Sequence, residues 1–161
     1  MGDYYHSNTP NYMLHRKMAI IGERCVGKST LVERFVSGRF IENYDPTLEN
    51  TLRKHIGFRS NPYVLEIVDC AGNDEYSKLS RNATVGVHGY ILVYSLASRS
   101  SLENLRNINK VMINMIGNPP TVPRVVVGTM LDATEQRVVS YQQVGGVFPL
   151  CGCISKMYRV W

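Results

Sequence analysis

The chain has 161 residues, 44% of them apolar, and 18 Lys and Arg against 13 Asp and Glu give a formal charge of +5. That length suits one globular domain and leaves little room for a second. The longest apolar stretch, near Tyr90 to Leu96, is too short for a bilayer span of about 20 residues, and the basic residues are scattered without interleaved aromatics, which argues against a nucleic-acid binder.

Residues 1–15 show no period and read as a flexible N-terminal arm, with neither a secretory signal nor a myristoylation pattern. Met18-Ala19-Ile20-Ile21 is a short continuous apolar run, as in a buried parallel strand. A glycine-rich turn follows, and Lys28 to Ser37 reads as a helix with Leu31, Val32, Phe35 and Val36 at helical spacing and Gly38 as its stop. Asn43 to Asn50, with Pro46, is a loop. Thr51 to Phe58 and Tyr63 to Asp69 flank Arg59-Ser60-Asn61-Pro62 as strand, turn and strand. His88 to Leu96 is a further strand, and Ser101 to Ile116 a helix closed by Gly117-Asn118-Pro119-Pro120. Arg124 to Gly128 is the last clear strand. This alternation predicts an α/β fold, a mostly parallel sheet with helices on both faces.

Cys25, Cys70, Cys151 and Cys153 form neither a disulfide framework nor zinc-ligand spacing, so a reducing, cytoplasmic setting is expected. The strongest motif is Gly22-Glu23-Arg24-Cys25-Val26-Gly27-Lys28-Ser29, a G-x-x-x-x-G-K-[ST] phosphate loop placed between an apolar strand and a helix. Its backbone N–H groups and the helix N-terminus behind them form an anion nest. Lys28 reaches the β- and γ-phosphates, and the Ser29 hydroxyl suits Mg²⁺. The loop specifies a nucleoside triphosphate without saying which one.

Further along, Tyr44-Asp45-Pro46-Thr47 and Asp69-Cys70-Ala71-Gly72 resemble the two switches of the Ras superfamily of small GTPases, with matching spacing from Lys28 to Thr47. Within that superfamily the resemblance is strongest to the Rheb branch. It is carried by Asp45-Pro46-Thr47-Leu48-Glu49-Asn50-Thr51, Asp74-Glu75-Tyr76-Ser77, Gly89-Tyr90-Ile91-Leu92-Val93-Tyr94-Ser95 and Arg137-Val138-Val139-Ser140-Tyr141, over about residues 16–143. The resemblance implies a P-loop G domain over 16–144 that binds GTP/GDP and Mg²⁺. It assigns the nucleotide to Gly22, Arg24, Cys25, Val26, Gly27, Lys28, Ser29 and Thr30, with Phe40 beside the base, Tyr44 over the phosphates, Thr47 and Gly72 at the γ-phosphate, and Thr129 and Asp132 at the base. Metal binding falls to Ser29, Thr47 and Asp69, and catalysis to Asn73, Thr47 and Lys28. An effector meeting the 42–50 loop, the TOR kinase complex in the Rheb branch, and a GTPase-activating protein are the implied partners. The branch associates with membranes, so a cytoplasmic or membrane-peripheral location is expected, although this chain shows no prenylation motif.

Three departures shape the expected mechanism. Asn73 stands where the family has the glutamine that orients the attacking water, one methylene shorter, and Arg24 stands where Ras has glycine, so slow hydrolysis is expected. The base-reading Asn-Lys-x-Asp strip is Thr129-Met130-Leu131-Asp132, which retains the guanine-reading carboxylate but loses a charge-assisted hydrogen bond, so weakened nucleotide binding is expected. Residues 145–161 read as a divergent tail in which the last strand and closing helix are missing or altered, which would leave the strand near Val125 to Val127 at the sheet edge. Cys153-Ile154-Ser155-Lys156 faintly echoes the family's Ser-Ala-Lys base loop. The alternatives to a working switch are a pseudo-GTPase binding module, or a truncated isoform with impaired nucleotide binding.

Overall fold

A computed structural model describes residues 13–40, 46–72, 79–116, 122–140, 142–144 and 155–157. In chain order the elements are β1 (Leu14–Gly22), α1 (Lys28–Ser37), β2 (Glu49–Phe58), β3 (Asn61–Cys70), β4 (Gly89–Ser95), α2 (Arg99–Ile116), β5 (Arg124–Thr129), a 3₁₀ turn at Thr134–Gln136, and β6 (Ser155–Met157). Six strands form one sheet in the order β2-β3-β1-β4-β5-β6. Every neighbouring pair is parallel except β2 with β3.

The period-2 geometry of the central strands sorts their apolar residues onto two faces. Ala19 and Ile21 of β1, with Val68, Leu92 and Val126, pack against Leu102, Leu105, Ile108 and Met112 of α2. Ile20, on the opposite face with Ile67, Val93 and Val127, packs against Val32 of α1. A continuous apolar run was therefore the correct signal for β1, which is covered on both sides. Because α1 and α2 lie on opposite faces, crossovers leave the β1–β4 neighbourhood in both directions. The carboxyl ends of these strands are the place where open α/β sheets bind ligands.

Two boundaries differ from the sequence reading. β1 begins at Leu14, inside the stretch read as an arm. Leu14, His15 and Arg16 are exposed, and the strand is held there by backbone pairing with Tyr63, Val64 and Leu65 rather than by burial. β5 is not an edge, because Val126, Val127 and Gly128 pair with Ser155, Lys156 and Met157 of β6. Ser155 and Lys156 accordingly belong to a strand, not to a base loop. Residues 142–144 are helical, and Val144 is buried beside Val139 in the α2-side core. Residues 1–12, 117–121, 145–154 and 158–161 lie outside the described residues, and with them the Gly117-Asn118-Pro119-Pro120 stop, most of the tail, Cys151 and Cys153.

Candidate functional site

The phosphate loop runs from the end of β1 into α1, and close approach fixes its path. A Cβ on Gly22 would lie 2.2 Å from the Val93 carbonyl oxygen, so β4 presses directly on the loop. Gly27 caps α1 with φ 84°, in the left-handed region that favours glycine. Gly27 has no side chain to accept from the first helical N–H groups, and the first turn of α1 holds no carboxylate. The helix N-terminus thus keeps its partial positive charge for an incoming anion.

Lys28 is only 6% exposed, and its Nζ donates to the Glu23 carbonyl at 2.8 Å, across the mouth of the loop. Burial pulls its pKa below the usual lysine value, with the nearby Asp69 carboxyl opposing that shift. Ser29, in the first turn of α1, lies beside Thr47, their hydroxyl oxygens 2.8 Å apart. Two residues 18 apart in sequence and on separate loops thereby converge. Asp69, near the end of β3, is 2% exposed, and its Oδ1 has no hydrogen-bond partner. Burial raises its pKa, against the Ser29 hydroxyl and the Lys28 ammonium. An orphaned buried carboxylate oxygen beside two hydroxyls is a hard oxygen set, and these residues fit Mg²⁺.

Gly72 closes the site from the β3 side. A Cβ there would lie 2.6 Å from the Arg24 Cα and 2.7 Å from its backbone nitrogen, so the phosphate loop packs onto the glycine that follows β3. Arg24 and Cys25 are exposed, and Cys25 has φ 58°. Val26 instead turns into the α1-side core. Thr30 is partly buried in the first turn of α1.

The base-reading strip is arranged differently from its sequence reading. Thr129 is 1% exposed, and its Oγ1 lies 2.6 Å from the Val26 carbonyl oxygen and 3.0 Å from that of Tyr94. It braces the phosphate loop to β4 and β5. Met130, at φ 56°, turns its sulfur toward Ser95, whose Oγ donates to it at 3.0 Å. Asp132 is exposed in the turn beyond, and Phe40, 49% exposed, follows α1. The structure gathers Lys28, Ser29, Thr47, Asp69 and Gly72, and shows no contact that draws Phe40 or Asp132 to them. Tyr44 and Asn73 lie outside the described residues.

Sequence reasoning missed the brace at Thr129 and the Ser95–Met130 contact, because a single hydroxyl or thioether does not announce its partner. It also missed a bridge between the segments flanking the switches. Glu49, at the start of β2, accepts from Ser80 Oγ and from Asn82 Nδ2, and Asn82 Oδ1 accepts from Lys17 Nζ. Thr129→Val removes a donor shared by two buried carbonyls. It is expected to destabilise the protein by about 1–3 kcal/mol, read as a lower urea midpoint at unchanged slope.

Comparison with known proteins gives the family likeness of the chain. The Ras family profile matches residues 17–148. The GTP-binding protein Rheb homolog of Dictyostelium discoideum is 43% identical over 129 residues, covering 80% of this chain and 69% of that protein. The small monomeric GTPase RhbA of Aspergillus fumigatus is 48% identical over 129 residues, 80% of this chain and 68% of its own. The human GTP-binding protein Rheb is 43% identical over 128 residues, with 80% and 69% covered.

Proposed function

This chain belongs to the Ras family, and we propose that it is a slow, Mg²⁺-dependent guanine-nucleotide switch of the Rheb type. As a small GTPase it binds GTP and GDP, hydrolyses GTP to GDP and phosphate, and works with effectors and GTPase-activating proteins. The observation that carries the finer reading is the convergence of Lys28, Ser29, Thr47 and Asp69 around one loop mouth. Ser29 and Thr47 would hold the metal directly and Asp69 through water, and the bound ion would neutralise charge on the β- and γ-phosphates. Lys28 and the α1 N-terminus bind the phosphates, and Gly72 lets the backbone approach the γ-phosphate.

Signalling rests on the Ser29–Thr47 contact. Thr47 would hold the metal and sense the γ-phosphate, and GTP-dependent ordering of Thr47 and Gly72 would present the 42–50 segment to an effector. The resemblance to the Rheb branch implies the TOR kinase complex as that effector, reached in the cytoplasm or at a membrane periphery. No described helix is long and apolar enough to cross a membrane. Base reading rests on Asp132, with Thr129 acting through the brace beneath the loop and Phe40 and Tyr44 flanking the nucleotide. Met130 lacks the family's lysine charge, at a cost of about 1.5–3 kcal/mol, or roughly 10–150-fold in affinity, and with its sulfur turned to Ser95 it is not placed as apolar cover for the base.

Titration of the purified chain with a fluescent-labelled GTP, followed by single-turnover hydrolysis, tests this reading. Saturable binding that GTP but not ATP displaces, that weakens on chelation of Mg²⁺ and that is followed by slow turnover is the expected result. Picomolar retention of GDP, or turnover as fast as ordinary Ras proteins, would contradict it. The inward-turned Thr129 and Met130 favour a second reading, a pseudo-GTPase binding module, which binding without any turnover would select. A chain that binds no nucleotide would fit the alternative of impaired nucleotide binding.

The cysteines offer an independent check. Cys70 is buried at the end of β3, and burial pushes its thiol up to about 12, whereas Cys25 is exposed in the phosphate loop. Peptide mapping after brief alkylation at neutral pH is expected to show Cys25 modified and Cys70 intact, with Cys25 shielded by Mg²⁺ and GTP.

A further inference from the structure

The end of the sheet farthest from the phosphate loop carries an exposed surface that the nucleotide site does not use. Strand register places Ile56, Tyr63 and Leu14 in one row and Lys54, Leu65 and Arg16 in the next, on a single face. Leu65 and Ile56 belong to the core under α1, so the exposed part is the margin formed by Leu14, Arg16, Phe58 and Arg59 with half-buried Tyr63 and Lys54. Phe58, two residues beyond Ile56 along β2, shares that face. Phe58 is 56% exposed and Leu14 37%. Cations and rings alternate across this surface. The Arg59 guanidinium lies 5.3 Å from the Phe58 centroid, Phe58 meets Tyr63 edge-on at 6.4 Å, and Arg16 lies 5.7 Å from the Tyr63 centroid. At its border Lys54 sits 4.5 Å from the exposed Phe35 ring of α1. The tip is a two-residue turn in which Arg59 and Ser60 both have positive φ, 47° and 65°, so a tight turn presents Phe58 and Arg59.

The charge on this face has one sign. No Asp or Glu occurs between Asn50 and Leu65. Glu66 points to the opposite face, in register with Lys17 and Arg53, and is paired with Arg53 at 3.0 Å. Asp69 shares the face but is buried at its far end. We propose that this face docks on an anionic lipid surface, with Phe58 and Leu14 at the headgroup boundary and Arg16, Lys54 and Arg59 meeting acidic headgroups. An apolar centre edged by cations is the pattern of interfacial binding. A nucleic acid would need free ring faces for stacking, and here Arg59 and Arg16 already cover Phe58 and Tyr63. β1 runs from this face to the phosphate loop, nine residues or about 26 Å at roughly 3.3 Å per residue, so docking leaves the nucleotide site open to solution. The inference stands apart from the nucleotide chemistry proposed above.

Co-sedimentation of the full chain with vesicles of phosphatidylcholine, with and without phosphatidylserine, is the test. The chain is expected to sediment with the acidic vesicles alone and to release in high salt. Arg16→Gln and Arg59→Gln should each lower partitioning about fivefold, and Phe58→Ser by about tenfold or more. Arg53→Gln, on the other face, should change it by less than about twofold. Guanine-nucleotide affinity should stay the same in all four variants. Should Phe58→Ser fail to fold, the two exposed arginines decide alone. Equal sedimentation with both vesicle types, none with either, or insensitivity to both arginine variants would overturn the proposal. Self-association that Phe58→Ser abolishes, or capture of a single-stranded oligonucleotide through these residues in place of vesicles, would also overturn it.

Discussion

Lys28→Met is expected to weaken guanine-nucleotide binding by about 10²–10⁴-fold while leaving the protein folded. Lys28 is buried at 6% exposure with its ammonium held at 2.8 Å by the Glu23 carbonyl, so its cost of desolvation is already met before any phosphate arrives. Two charge-assisted hydrogen bonds to phosphate oxygens, at about 1.5–3 kcal/mol each, give that range through the usual affinity arithmetic. Methionine fills the same channel without charge. A pH dependence accompanies the loss. Burial holds the Lys28 pKa below its ordinary 10.5 in the free protein, and bound phosphates favour the charged form. Nucleotide binding therefore takes up a proton in the alkaline range below 10.5, and affinity falls as pH rises through it. Calorimetric titrations of wild type at neutral and alkaline pH should show this decline and proton uptake, and Lys28→Met should show neither. Equal affinity in the two proteins would remove Lys28 from the site.

Asn73→Gln is expected to raise single-turnover GTP cleavage by about 10²-fold with nucleotide affinity unchanged. A displacement near 1 Å of a group that orients the attacking water costs about that factor, and glutamine restores the missing methylene. The preceding Gly72 is pinned against the Arg24 backbone, and Asn73 itself lies outside the described residues. Combining the change with Arg24→Gly tests whether the arginine also slows the reaction. A further gain in the double variant would show that it does, and a rate for Asn73→Gln equal to wild type would free residue 73 from blame for slow hydrolysis.

The central sheet was legible because buried parallel strands write themselves as apolar runs: Met18 to Ile21, Tyr90 to Tyr94 and Val125 to Val127 all fall in strands. α1 was legible to the residue, since the motif dictates where its first turn begins. The start of β1 was not, because exposed Leu14, His15 and Arg16 are held by backbone pairing, which leaves no hydrophobic mark. β6 was hidden for a similar reason: three residues, Ser-Lys-Met, carry no period. In the site, the motif itself pointed to Lys28 and Ser29, whereas Thr47 and Asp69 were implied only by the family resemblance, since residues on separate loops carry no local mark of a shared site. The inward turn of Thr129 was not legible, since which of several carbonyls a hydroxyl chooses is settled only by tertiary packing.

The packing around the phosphate loop also says where the loop can vary over evolutionary time. Positions 22 and 72 are closed to any side chain by a neighbouring backbone, and a side chain at position 27 would be strained by its left-handed geometry. Between these fixed points lie Arg24 and Cys25, both exposed. Side chains exchanged at those two positions would change the chemistry at the mouth of the loop while its path through space stays the same.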